Sequence, residues 1–236
     1  MSWYRIMMIS ALTSAPALAG TKGDDEPPAE PTHTIHVVTA DELVTAKKRQ
    51  LDIYSHLFGR KSTVVKRFNR RDSRFVRAGT RLRVPEIEEG EDYVPLPARH
   101  PAAVGHDRYI LVVLDRQWLG LYERGRLIIA YPVCTGSKRS ANPDGTVTDR
   151  RTPTGAYRIF GKDEDHVSSK YPEPDGGSPM PWGLQFTADG GYWVHGGDMV
   201  GYPASHGCVR MFAEDARDLF GRVQIGTPLS VIETLD

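Results

Sequence analysis

The sequence predicts a mostly β C-terminal domain with one short helix, preceded by a small α+β module. Three observations lead there. From Arg108 onward, short apolar or β-branched runs follow one another: RYILVVL, WLGLYE, RLIIAYPV, TGAYRIF, YWVHG and TPLSVIE. Only Met211 to Val223 in that half carries helical spacing, through Phe212, Ala216, Leu219 and Phe220. Ahead of it the charge swings in blocks. Lys47–Arg83 holds thirteen Lys or Arg against two acids, Asp52 and Asp72, and PEIEEGED then carries Glu86, Glu88, Glu89, Glu91 and Asp92. Such a swing marks a module boundary.

In chain order, residues 1–19 read as an export signal: Arg5 as the positive n-region, Ile6–Leu12 as the apolar stretch, and Ala17-Leu18-Ala19 as the small-x-small cleavage site. Export to the periplasm or cell envelope is therefore expected. Residues 20–32, acidic and Pro-rich, read as a linker. In 33–85, HTIHVV is a strand, Asp41–Leu57 a helix with Leu43, Ala46, Leu51, Tyr54 and Leu57 on one stripe, Ser62–Phe68 a second helix, and RLRVP a closing strand. Residues 86–107 lack periodicity and read as an interdomain linker. The remainder, 108–236, is long enough to fold alone. Within it Glu123-Arg124-Gly125-Arg126 is a hairpin turn, and Gly136–Arg151 is either a flap or a tolerated insertion.

The bulk composition excludes several classes. At 39% hydrophobic and 25% charged the chain can bury a core. No apolar run after the N-terminus is long enough to cross a bilayer. The net charge is zero, and with an export signal the basic 47–83 segment is expected to meet anionic wall polymers and not nucleic acid.

The densest chemistry lies in PASHGCVRM, residues 203–211, around Cys208. Four readings of that cysteine stand. As a metal ligand it has His195 and His206 as companions, without a CxxC or HExxH spacing. In an oxidising compartment it can pair with Cys134, the second of the two cysteines. It can be a small buried residue. As a nucleophile it needs a base and a positive surrounding. His195, ending the strand YWVH, supplies the base, and Arg210 and the N-terminus of the following helix supply positive charge. The amides of Gly207 and Cys208 offer an oxyanion hole.

Residues 108–234 resemble the L,D-transpeptidase catalytic domain of the YkuD type. The signature is His-Gly, a short loop, then Ser-x-Gly-Cys-hydrophobic-Arg, and it stands here as VHGGDMVGYPASHGCVRM. YPVCTG, TPTGAYRI, HVSSKY, SPMPWGLQFT and GTPLSVI match its flanks. Residues 33–85 resemble a LysM peptidoglycan-binding module through Phe68-Asn69, Phe75-Val76, Ala78-Gly79 and Leu82–Pro85, with Thr39–Leu43 in place of the usual opening. The resemblance implies a β-sandwich-like fold and an acyl transfer on peptidoglycan stem peptides. Cys208 would be the nucleophile and His195 the proton donor and acceptor, with the Gly196 carbonyl orienting its ring. It implies supporting places for Ser205, His206, Gly207 and Arg210, acylation by carbapenems, and no metal or other cofactor. Trp182, Tyr192, Trp193 and Tyr202 are candidates to line the substrate groove or to fill the core.

Overall fold

The computed structural model describes residues 26–138, 140–141, 146–171 and 176–235; the expected export signal lies outside them. The elements are β1 (His33–Val37), α1 (Ala40–Lys48), α2 (Ile53–Phe58), α3 (Ser62–Asn69) and β2 (Arg81–Pro85). Then follow β3 (Tyr109–Val113), β4 (Trp118–Glu123), β5 (Arg126–Cys134), β6 (Ser140–Ala141), β7 (Val147–Thr148), β8 (Gly155–Arg158) and β9 (Gly161–Asp163). β10 (Gly183–Gln185), β11 (Trp193–Gly196), β12 (Val209–Met211), α4 (Ala213–Arg222) and β13 (Pro228–Ile232) complete the chain.

In the N-terminal unit β1 and β2 pair antiparallel, and three short helices pack on them. The single helix expected over 41–57 is two. Thr39 and Glu42 form a reciprocal capping box that starts α1. Gln50 then turns into the left-handed region at φ 55°, and Asp52 caps α2 through Tyr54 N–H. Leu51, expected on the buried stripe, is exposed at that break.

The C-terminal unit is one mixed sheet of nine strands in the order β8-β13-β3-β4-β5-β12-β11-β10-β9. It is mostly β, as expected, with one helix on it. β5 is shared between two halves: its first part pairs with β4, and its end, Val133 and Cys134, pairs with β12. The hairpin turn falls at Arg124 and Gly125, both at positive φ as a primed turn requires. β3 reads YILVV without alternation because both of its faces are covered. Ile110 and Val112 join the main core with Val194, Val209 and Leu219. Leu111 and Val113 join a second core with Leu96 and Ala103.

That second core corrects the reading of 86–107 as a free linker. Leu96 is buried, the Tyr122 hydroxyl donates to the Pro97 carbonyl at 3.0 Å, and the Leu127 amide donates to the Ala98 carbonyl at 2.8 Å. Pro and acid content hid a strap that caps one face of the sheet.

The basic segment differs from expectation too. Arg67 bonds both oxygens of Asp215, at 2.9 and 3.0 Å, and Lys66 meets Glu214 at 3.3 Å. Arg74 reaches Asp198 and Arg83 reaches Glu30. Much of the local positive charge therefore joins the N-terminal unit to its surroundings, while Lys47, Lys48, Arg49, Arg77 and Arg81 remain exposed.

Candidate active site

β11 and β12 run parallel in the register Val194↔Val209, His195↔Arg210. Side chains alternate along a strand, so Val194 and Val209 face the core. His195 and Arg210, with Trp193 and Cys208 two residues before each, then share the opposite face. All four line one cleft of about 710 Å³, which Ser205 and His206 also border.

His195 is almost fully buried, and its Nδ1 lies 2.8 Å from the Gly196 carbonyl. A carbonyl only accepts, so Nδ1 carries the proton and Nε2 presents a lone pair. Burial lowers the imidazole pKa to about 4, against the Gly196 hydrogen bond, with Arg210 and His166 adding to the lowering. Cys208 is half-buried, and burial pushes its thiol up; a hydrogen bond from the Trp193 backbone and the Arg210 charge pull the other way. At neutral pH the His195 imidazole is neutral and Cys208 is a thiol.

The loop carrying Cys208 is braced from beneath. The Ser205 hydroxyl accepts from the Gly207 amide at 3.0 Å and donates to the Cys208 carbonyl. The Thr152 hydroxyl donates to the Gly207 carbonyl and accepts from the Gly136 amide. Thr135 accepts at its carbonyl from the amides of Ala204 and Ser205 and is itself held by Gln117. Gly207 sits at φ 118°, and a Cβ there would stand 2.2 Å from the Tyr192 ring.

Three expectations change here. The Gly207 amide is engaged by Ser205, so of the proposed oxyanion pair Cys208 N–H is the one left. Strand β12 stands between Cys208 and α4 in the chain, so the helix does not begin directly after the cysteine. Asp215 in its first turn faces Arg67 instead. Trp182 packs edge-on against Phe220 and Tyr192 lies beneath Gly207 in the core, so neither lines the cleft. Tyr202 is exposed and also stands outside the lining. Trp193 does line it, stacked on His166 at 3.8 Å.

The cleft is also lined by His166, Ser168–Tyr171 and Ser178–Met180, and Tyr171 stacks on His206 at 4.0 Å. Of the described residues in the 136–151 stretch, Arg150 borders the cleft; 139 and 142–145 lie outside the description. Thr152, Thr135, His166 and Tyr171 sit within segments quoted as flanking matches, although no role was read from them. Gln117, a polar residue between two strands, left no signal.

Both cysteines are unpaired. Cys134 is buried with Met199 and Phe212, its Sγ donating to the Arg70 carbonyl at 3.8 Å. Among the described residues no group of three metal-ligating side chains converges, and no helix is long and apolar enough to cross a membrane.

A buried imidazole with a free Nε2, on the same sheet face as a thiol, is an arrangement for acyl transfer. The YkuD L,D-transpeptidase catalytic domain model matches residues 107–231. The chain belongs to this family, and membership implies a peptidoglycan-modifying transferase. It is 27% identical over 149 residues to a Bacillus licheniformis protein named for L,D-transpeptidase YkuD, spanning 62% of this chain and 77% of that one. An L,D-transpeptidase structure from Xylanimonas cellulosilytica superposes with a TM-score of 0.54 at 22% identity, over 88% of this chain and 98% of that one. One from Stackebrandtia nassauensis gives 0.45 at 24% identity, over 56% of this chain and 58% of that one.

Proposed function

We propose that this chain is an exported L,D-transpeptidase in which Cys208 is the nucleophile and His195 the proton carrier. The shared face of β11 and β12, with His195 Nδ1 tied to Gly196, is the observation that carries this reading.

The thiol attacks the carbonyl of the third residue of a tetrapeptide stem while His195 Nε2 takes the thiol proton. The C–N bond to the terminal D-Ala breaks, and the imidazolium returns that proton to the leaving amine. The acyl-enzyme is then attacked by an acceptor amine, His195 takes the amine proton, and the thiol is released on collapse. Cys208 N–H faces the oxyanion. Arg150, Lys170 and Arg210 on the cleft wall suit a stem bearing carboxylates. No cofactor enters the scheme. Export through residues 1–19, glycan contact by a LysM-like 33–85 unit, and wall-polymer contact by its exposed basic residues belong to the same proposal.

Intact mass after incubation with a carbapenem tests it. A single adduct that vanishes in Cys208→Ala and forms far more slowly in His195→Gln supports the assignment; no adduct on a free thiol sinks it. Products from a tetrapeptide, with and without a diaminopimelate acceptor, separate transfer to an amine from transfer to water.

A further inference from the structure

A second cavity, of about 300 Å³, opens where the N-terminal unit meets the sheet. It shares no lining residue with the Cys208 cleft. Three arginines from three separate elements converge on it: Arg70 just after α3, Arg83 on β2 and Arg116 between β3 and β4. Two carboxylates accompany them. Glu30 is taken by Arg83 at 2.6 Å. Asp115, the chain neighbour of Arg116, is 3.7 Å from its Nε.

Arg70 is the unusual member. No carboxylate lies within ion-pair distance of it among the described residues, and its Nε is buried without a hydrogen-bond partner. The Nε of Arg116 is in the same condition. The Arg70 backbone is pinned at a left-handed φ of 49°, its amide donating to the Arg67 carbonyl and its carbonyl accepting from Cys134. The side chain is thus aimed by the fold. Burial, with Arg83 nearby, makes the Arg70 guanidinium a weaker base than usual, against the opposing influence of Cys134, Glu30 and Tyr93. A half-buried cation whose neighbouring carboxylate, Glu30, is held by Arg83 is costly, and guanidinium forks match carboxylate and phosphate oxygens two by two.

We propose that the Arg70–Arg83–Arg116 pocket is a binding site for an oxyanion, a carboxylate or a phosphate, on a small body. A cavity of this volume is at the lower end of ligand pockets, which fits a terminal group better than a whole polymer. Two sources share the chemistry: the free carboxylate at a peptide end and a terminal phosphomonoester. The inference stands independently of Cys208 chemistry.

The test is a thermal-shift and calorimetric titration of the full chain with sodium phosphate and, separately, N-acetyl-D-alanine, each against sodium chloride at equal ionic strength. A saturating rise in Tm beyond the chloride control is expected. Arg116→Gln should weaken binding about tenfold, the loss of roughly one charge-assisted hydrogen bond. Arg70→Gln should weaken it at least as much, and Arg60→Gln, whose side chain is 85% exposed, should leave it unchanged. Tighter phosphate binding points to a terminal phosphomonoester, tighter N-acetyl-D-alanine binding to a peptide end. No saturable rise with either anion, or a rise that survives both Arg116→Gln and Arg70→Gln, overturns the site. Carbapenem adduct formation is read separately, so failure here leaves that reading untouched.

Discussion

The Thr152 hydroxyl holds the carbonyl of Gly207 at 2.8 Å, from 55 residues earlier in the chain, directly before Cys208. The same oxygen accepts from the Gly136 amide at 2.9 Å, so one buried side chain ties together the end of β5, the turn before β8 and the Cys loop. Thr152→Val keeps the shape and removes both bonds. A loss of about 1–3 kcal/mol is expected, because two backbone groups stay buried and unsatisfied. Carbapenem acylation should slow about tenfold, with Thr152→Ser recovering most of it. Urea unfolding and stopped-flow acylation measure the two effects.

Gly207 has no room for a side chain. Gly207→Ala combines a positive φ with a Cβ driven into the Tyr192 ring. It should cost several kcal/mol, on the order of 3, and abolish acylation. Tyr192→Ala should restore part of the stability in the double variant, since it relieves the clash and leaves the backbone strain. A Gly207→Ala protein with wild-type Tm and activity would contradict the geometry.

The imidazole of His195 titrates at about 4 where an ordinary one titrates near 6.5. Between those values the unfolded chain binds a proton that the folded chain does not, so stability falls as pH falls through this window. The slope is about 1.4 kcal/mol per pH unit, for roughly 3 kcal/mol in all. Subtracting the pH–stability curve of His195→Gln from that of the wild type isolates the term. Wild-type acylation should correspondingly hold its rate down to about pH 5; a fall centred on pH 6.5 would refute a neutral, buried base.

The Arg67–Asp215 pair joins α3 to the first turn of α4 and is largely hidden from water. Asp215→Ala leaves Arg67 buried without its partner and should cost about 3 kcal/mol. The double variant Arg67→Met/Asp215→Leu should cost markedly less, because neither charge is then stranded. Single losses that simply add up to the loss of the double variant would show that the pair is screened. Chemical denaturation of the wild type, the single variants Arg67→Met and Asp215→Leu and the double variant closes the cycle.

The sequence made the strands and the meeting of His195 and Cys208 in one cleft legible for different physical reasons. Strands in the C-terminal unit announce themselves because runs such as YILVV must be apolar to lie between two cores. His195 and Cys208 stood out because thiol, imidazole and Gly sit close in number, one on β11 and the other in the loop leading into β12. What stayed hidden was long-range. Leu96 and Ala103 look like linker residues until β3 and β4 supply the surface they cover. The charges of Lys66 and Arg67 look solvated until Glu214 and Asp215, almost 150 positions away, come to meet them. The helix over 41–57 was overdrawn because a capping Asp52 and a left-handed Gln50 leave no periodic trace. Tyr192 stays open between groove and core in the sequence because an aromatic beside a strand gives no sign of which face it takes.

Cys134 gives its thiol hydrogen to the Arg70 carbonyl, and the next residues, Arg71 and Asp72, pair with Val200 and Met199 in the loop before Cys208. A boundary drawn at residue 107, though clean in composition, therefore cuts through a shared interior. The two halves are expected to melt in one transition, and a chain begun at residue 108 would expose Cys134 to thiol reagents. Over evolutionary time such a head cannot be exchanged like a bead on a string; any replacement would have to carry its own cover for that cysteine and its own grip on the loop.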